Sequence, residues 1–557
     1  MTVTQARSTP LSGRGRQPLL LPFAGLALIF LLLPLLASAP LVDPDEGLHA
    51  AIAQEMVLRH DFVTPTFLGT PFLDKPILFF WTEAASLQTF GMNETAVRTP
   101  PLLFGLLGML TVAWLARTLI GGEAALVAGI VYASMVLPLG VSEVAVHDVA
   151  LVPFVCVSVL CLWRAAGSPR SWMWGLPIGL SLGLSILTKG LVGPAFAGLF
   201  AVCLVYVRRD AFGKVAVALL AAAPLMVTIA APWYLAMEHG HPGYLHYYFM
   251  ERHVEAYLTA TQRHSGRSWW YYVPIMIAGP LPWTGYLVGA LRQTKREETV
   301  RIILWSWCAI GLVFLSVAES KLVTYVLPLF PAIAVLIADV ITTAWRATDL
   351  AGAATRRGRL AAAGASAVLV LAALPALMTF AAQERYHMTS GAAWIMAAGA
   401  APIVLAVSWN AWRATSLDRF MGRMSIAIVV SFAVLAGVLG PRVARWMTAR
   451  DVAIALNASR TLPPSVSVVE ERIGSLVFYL SPDLRAQATA DRLKTMNRST
   501  AIEQLRQESP ESVVAVRDDE LPRFQQLFQR PPEPMMRAGT FTIFRVGALV
   551  ASLADPQ

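Results

Sequence analysis

The 557-residue chain predicts a polytopic α-helical membrane protein with interfacial helices and a C-terminal α/β domain, and three observations carry that prediction. Hydrophobic residues make up 56% of the chain and charged residues 14%, with a mean hydropathy of +0.58, a balance foreign to ordinary soluble domains and to disordered chains. Apolar runs of bilayer-spanning length recur from residue 19 to residue 440. The loops between them alternate between arginine-rich ones and ones that bear carboxylates, histidines and lysines, the sorting expected of loops on opposite sides of a membrane.

The runs fall at 19–37, 99–118, 123–140, 149–165, 172–187, 191–207, 215–234, 269–291, 302–318, 322–345, 360–381, 391–412 and 424–440, about thirteen helices of ~20 residues each. An odd number places the termini on opposite sides. The first run is long, lacks a small-residue cleavage site and leads directly into Asp43-Pro44-Asp45-Glu46-Gly47, so it reads as a retained helix and not a signal peptide. Basic loops carry Arg7, Arg14 and Arg16, then Arg117, Arg164 with Arg170, Arg208 with Arg209 and Lys214, Arg292 with Lys295, Arg296 and Arg301, Arg346 with Arg356, Arg357 and Arg359, and Arg413 with Arg419 and Arg423. By the positive-inside rule these face the cytoplasm, and the intervening loops face the periplasm or exterior. The net charge of +9 therefore belongs beside lipid headgroups and implies membrane lipids, not nucleic acid, as its partner. Cys156, Cys161, Cys203 and Cys308 all fall within expected spans, where thiols behave as small apolar groups.

Two outer loops are long, 40–98 and 235–268. Within the first, Asp45–Arg59 and Pro76–Phe90 mix apolar and polar residues at near-helical spacing, which predicts helices lying in the interface. Residues 1–440 form the membrane domain, and 441–557 form a soluble domain placed outside by the helix count. In it, Ser465–Glu470, Ser512–Val516 and Thr540–Val546 read as strands, and Asp451–Ala458 and Leu521–Gln529 as helices.

The outer loops hold the residues with chemistry. Asp43, Asp45 and Glu46 put three carboxylates at the end of the first span, where they suit a cationic substrate group, a nucleophile or a divalent metal, or a simple helix cap. Asp74-Lys75-Pro76 sets a lysine on the side the topology disfavours; its compact charge suits a phosphate oxygen, though a snorkelling lysine is the bland alternative. Glu143, His147 and Asp148 open the fourth span, and Lys189 sits in a short outer turn. Lys321 and Tyr325, four apart, would share one helical face and reach one phosphate, unless they belong to an interfacial belt.

Taken together, an Asp-Glu pair after the first span, [DE]-Lys-Pro in the same loop, His-Asp before the fourth span, Glu-x-His in the later loop and Lys-Leu-x-Thr-Tyr-x-Leu-Pro near the tenth resemble the polyprenyl-phosphate-sugar glycosyltransferases of GT-C fold. Among them the chain is most similar to the lipid A 4-amino-4-deoxy-L-arabinose transferases (ArnT type), relatives of the protein O-mannosyltransferases. The resemblance implies inverting transfer of aminoarabinose from an undecaprenyl-phosphate donor to a lipid A phosphate at the periplasmic face of the bacterial inner membrane, and with it resistance to polymyxin and cationic peptides. It implies that Asp45 and Asp148 line the catalytic cavity, that Lys75 and Tyr325 contact the carrier phosphate, and that Asp74 and His253 bind a divalent metal ion. Glu46, Lys189 and Lys321 become substrate-binding candidates. Asp74 stands where the family carries glutamate, and Arg252 or Arg267 stands in for an arginine expected shortly after the loop histidine. The rival readings are a related GT-C enzyme that uses another lipid-linked sugar or a protein hydroxyl acceptor, and a polytopic lipid transporter.

Overall fold

The computed structural model describes residues 17–36, 39–259, 266–292, 299–351, isolated positions within 402–409, and 416–553 apart from 435, 436, 438 and 439. The span expected over 360–381, nearly all of that over 391–412, and several of the basic residues, among them Arg7, Arg14 and Arg16, lie outside the described residues. Among the described residues, six helices are long and apolar enough to cross a membrane, or seven if one bent pair counts as a single span.

After α1 (Gln17–Leu36) the chain forms α2 (Asp45–Arg59) and α3 (Leu78–Phe90), at 15 and 13 residues too short to cross a bilayer. Between them lies a two-residue hairpin, β1 (Thr66–Phe67) and β2 (Thr70–Pro71), whose turn residues Leu68 and Gly69 both take positive φ. Glu55 of α2 accepts hydrogen bonds from the N–H groups of Leu68 and Gly69 and from the Thr66 hydroxyl. One carboxylate thereby satisfies the turn and fixes how the chain returns to Asp74 and Lys75.

The bundle follows as α4 (Glu94–Leu119), α5 (Gly122–Ala133), α6 (Val136–Ser142), α7 (His147–Gly167), α8 (Gly175–Lys189), α9 (Val192–Val207) and α10 (Phe212–Gly240). The span expected over 123–140 is broken: α5 and α6 meet at 63°. The run 269–291 likewise divides into the helices Tyr272–Ala278 and Thr284–Arg292. Further helices cover Thr299–Val317, Phe330–Ala351 and Leu417–Val434. Short connections make successive helices antiparallel, so Asn93, Glu143, Lys189, Gly240 and Val317 fall at one end of the bundle and Arg117, Arg164, Arg208 and Arg301 at the other.

Close packing sets the position of that first end. Gly175, Gly179 and Gly183 recur every four residues on α8, and a Cβ at each would come within 2.5 Å of Ala221 Cβ, 2.5 Å of the Ala222 carbonyl and 2.8 Å of Ile229 Cβ on α10. A stripe of small residues lets two backbones approach without a side-chain layer between them. The pair carries Lys189 at the end of α8 and delivers the chain after α10 beside it.

The C-terminal part forms a five-stranded sheet in the order β4-β3-β5-β7-β6, with β3 (Val466–Val469), β4 (Leu493–Met496), β5 (Val513–Arg517), β6 (Met536–Ala538) and β7 (Phe541–Arg545). The first three strands are parallel, and β7 joins β5 antiparallel. The strands expected around 465, 512 and 540 are present, while β4 and β6 are additional edge strands. An edge strand pairs on one side only and carries polar residues, such as the half-buried Lys494 and the exposed Thr495 in β4, which weakens its hydrophobic signature.

Candidate active site

Four helix ends converge where the carboxylate-bearing loops meet. Asp148 in the first turn of α7 pairs with Lys189 in the last turn of α8, both largely buried. The Lys189 ammonium lies 4.2 Å from the centre of the Tyr325 ring, a cation–π contact favoured where water is scarce. Gly190, at φ 62°, follows directly, and a Cβ there would stand 2.5 Å from His253 Nε2 and 2.9 Å from the Tyr248 hydroxyl. Only glycine admits both the left-handed backbone and that imidazole.

His253 lies on a π-helical segment, Tyr247–Glu255. Its Nδ1 donates to the Tyr248 carbonyl at 2.8 Å, and Nε2 accepts from the Leu191 N–H at 3.3 Å. The two partners together select one neutral tautomer, and burial holds the imidazole below its usual pKa. On the same segment, Tyr247 donates to Asp74 at 2.5 Å and Arg252 forms an ion pair with the other Asp74 oxygen.

Lys75, next to Asp74, makes no ion pair among the described residues, yet lies close enough to His49 and His253 to act on both electrostatically. His49 is one turn beyond Asp45 on α2. Its Nδ1 donates to the Ala145 carbonyl at 2.8 Å, and its ring meets those of His147, Phe80 and Phe79 with centroids 4.6, 5.6 and 6.4 Å apart. This aromatic cage keeps His49 buried, with its pKa lowered by desolvation, and ties α2, α3 and the start of α7 together. Asp45 itself is exposed at the first residue of α2. Asp45, Lys75, Asp148, Lys189, His253 and Tyr325 therefore gather at one end of the bundle.

Several expected roles are corrected. Glu46 is not open to substrate: its oxygens accept from Arg98 Nε and NH2, both at 2.8 Å, and from the Val42 N–H at 2.8 Å, with the side chain fully buried. Arg98 also donates to the carbonyls of Ala39 and Pro40. Lys321 and Tyr325 do not share a helical face, because Leu322 is extended and Val323–Leu329 is a 3-10 helix. The Lys321 ammonium turns inward onto the carbonyls of Ala318 and Arg267, while Tyr325 faces Lys189. Arg267 is exposed, donating to the Tyr271 hydroxyl at 2.7 Å.

The residues present do not fit a resident divalent metal. Asp74 is neutralised by Arg252 and hydrogen-bonded by Tyr247, and both ring nitrogens of His253 are engaged by backbone groups. No group of three or more acidic, histidine or cysteine side chains suited to a metal occurs among the described residues.

Arg98 and His49 are not singled out by the sequence, and Gly190 stands out only as the neighbour of Lys189 in a short outer turn. Arg98 carried a usable signal, since an arginine at the carboxylate end of a span breaks the charge bias that places the other arginines opposite. His49 carried none, because a histidine one turn into an interfacial helix reads as a surface residue.

Comparison with known proteins bears on the same region. Residues 74–235 match the family model of dolichyl-phosphate-mannose-protein mannosyltransferases, a stretch that includes Lys75, Asp148 and Lys189. The chain is 34% identical over 323 residues to the undecaprenyl phosphate-alpha-4-amino-4-deoxy-L-arabinose arabinosyl transferase of Aeromonas salmonicida, covering 56% of this chain and 58% of that one. It is 33% identical over 355 residues to the transferase of the same name from Pseudomonas aeruginosa, covering 62% and 63%. The matched stretch thus spans less than two thirds of these relatives' length. Among solved structures, ArnT from Cupriavidus metallidurans bound to undecaprenyl phosphate superposes with a TM-score of 0.72 at 21% identity, covering 97% of this chain and 99% of that one. The oligosaccharyltransferase of Archaeoglobus fulgidus superposes at 0.51 and 13% identity, covering 93% and 73%.

Proposed function

We propose that this chain, which has the membrane GT-C fold and is a relative of the aminoarabinose transferases, moves 4-amino-4-deoxy-L-arabinose from undecaprenyl phosphate to a phosphate of lipid A on the periplasmic face of the inner membrane. The observation that carries the reading is the gathering of Lys75, Asp148, Lys189 and Tyr325 at one end of an apolar bundle. A lipid-linked sugar presents its anomeric carbon at headgroup depth, so an enzyme that uses it needs its polar groups at one interface and apolar helices beside them.

The acceptor phosphate is already anionic near neutral pH, and no strong base is required to create the nucleophile. Charge develops instead on the departing polyprenyl phosphate, and cations aimed at it contribute most. Lys75, unpaired among the described residues, binds that phosphate directly. Lys189 offers a second positive charge, held in place by Asp148 and the Tyr325 ring until the donor arrives. Asp45, exposed at the start of α2, orients the sugar and pairs with its amino group. His253, fixed in one tautomer with its Nδ1 proton on the Tyr248 carbonyl, shapes the wall beside Gly190. A single displacement inverts the anomeric configuration. The C-terminal domain sits on the same side, outside the membrane.

Mass spectrometry of lipid A from a deletion strain with and without this chain tests the reading. The expected result is a mass increase of one aminopentose. Glycosylated peptides with unchanged lipid A would overturn the proposal in favour of a protein acceptor, and the absence of both products would overturn it as well.

A further inference from the structure

The C-terminal domain grips the start of α2 more closely than a tethered neighbour would. Asp43, 4% exposed, accepts from the Ser475 N–H at 3.0 Å and from the Ser475 hydroxyl, while its own N–H donates to the Met447 carbonyl at 2.6 Å. The Ser475 oxygen in turn accepts from the Ala449 N–H at 2.8 Å. Ser475 stands on the short helix Gly474–Tyr479, which lies along α2. The two backbones touch: a Cβ at Gly47 would be 2.5 Å from Ser475 N, and a Cβ at Gly474 would be 2.2 Å from Leu48 N. Farther along, Gln54 donates to the Phe478 carbonyl at 3.4 Å. Tyr479 accepts from the Leu41 N–H and donates to Glu94, each at 2.8 Å.

Asp45 is two residues beyond Asp43, on the first turn of the helix that this contact aligns. The inner side of α2 is already held by Glu46–Arg98 and by His49 against Ala145, so the Ser475 contact is not needed to keep the helix in place. What it adds is a second hold on the first turn, from a side other than the one where Glu46 meets Arg98 through buried hydrogen bonds. Burial raises the Asp43 carboxyl to about 7 despite the Ser475 hydrogen bonds that lower it, consistent with a side chain closed off from substrate and water.

We infer that the C-terminal domain is a working part of the donor site: Ser475, through Asp43, is a positioning residue that sets the first turn of α2 and with it Asp45. The inference rests on the glycosyl-transfer reading above and assigns that reaction a residue outside the membrane domain. A displacement of about 1 Å at a reacting group can lower turnover by as much as 10²-fold.

The test uses the full-length protein in lipid nanodiscs, with the lipid-linked donor and lipid A. Ser475→Ala and Asp43→Ala are expected to lower kcat about tenfold, with donor KM, undecaprenyl phosphate binding and melting temperature nearly unchanged. Asp43→Asn, which keeps an acceptor for the Ser475 N–H, is expected to retain at least roughly a third of wild-type kcat on the same geometric argument. Hydrogen exchange over residues 43–54 reads the positioning without turnover and should speed up in both alanine variants only. Wild-type kcat and exchange in both alanine variants would overturn the inference. So would an Asp43→Asn variant as inactive as Asp45→Asn, which would make Asp43 a chemical group, or parallel loss of folding, carrier binding and kcat, which would make the contact structural. Absence of transfer by the wild type would count against the proposed function alone, and the exchange measurement would still decide the inference.

Discussion

Two buried ion pairs stand at the same end of the bundle and are built for opposite purposes. Glu46 and Arg98 meet through two parallel hydrogen bonds, and their remaining capacity is taken up by the Val42 N–H and the carbonyls of Ala39 and Pro40. Protein groups thereby take both Glu46 oxygens and four of the five Arg98 N–H groups. Asp148 and Lys189 meet through a single contact, beside an aromatic ring and at the same end of the bundle as Lys75, which makes no ion pair among the described residues. A fully satisfied pair fixes geometry, whereas a partly satisfied one holds charge that an arriving anion can recruit. Outer carboxylates and cations therefore do not announce their roles; the completeness of their hydrogen bonding does.

Breaking the closed pair should have the largest effect. Arg98→Ala leaves Glu46 buried without its counter-charge and is expected to cost about 3–5 kcal/mol, seen as loss of folded protein by thermal shift in detergent. Retention of wild-type stability would show that the pair does not organise α2. In the open region, Lys75→Ala is expected to leave a folded protein whose turnover falls on the order of 10²-fold, with polymyxin sensitivity as the cellular readout; near-normal resistance would remove Lys75 from the site.

A smaller effect concerns pH at the contact between the two domains. Burial raises the Asp43 pKa from 3.8 to about 7, so the protonated acid is favoured in the folded state. That contribution to stability is complete below the ordinary carboxylate range and is lost as pH rises through about 7. The melting temperature of the wild type should accordingly fall between pH 6 and 8 by more than that of Asp43→Asn, and equal slopes would contradict the assignment. The smallest effect is expected from metal removal. With Asp74 paired to Arg252 and His253 bonded to backbone on both nitrogens, a chelator should leave undecaprenyl phosphate binding within about twofold, less than 0.5 kcal/mol; a larger loss would restore those residues as ligands.

Much of the architecture was legible because it rests on one-dimensional signals. Span length located most of the described helices, although the stretch expected at 424–440 is helical at Leu417–Val434 and again from Gly440, and short apolar runs rich in β-branched residues located β3, β5 and β7. Bends at Ser134 and in 279–283 were not legible, since a hydropathy window records how apolar a segment is and not whether it is straight. Lys75, Asp148, Lys189 and Tyr325, which the fold brings to one end of the bundle, stand out in the sequence as polar groups at a membrane boundary, whereas His253 drew its role from the family resemblance. Glu46 and Lys321 were equally conspicuous and turned out to serve the fold, the first through Arg98 and the second through backbone carbonyls.

The amino-acid sequence by itself determined the membrane class, the clustering of titratable residues in the loops opposite the arginines, and the residue types present there, because burial in hydrocarbon and the charge asymmetry of membranes act on composition and spacing directly. Tertiary structure alone decided which acid met which base, that Gly190 yields its place to His253, and that Ser475 reaches back more than four hundred residues to Asp43. Such pairings depend on distances between segments far apart in the chain, and only the packed helices set those distances.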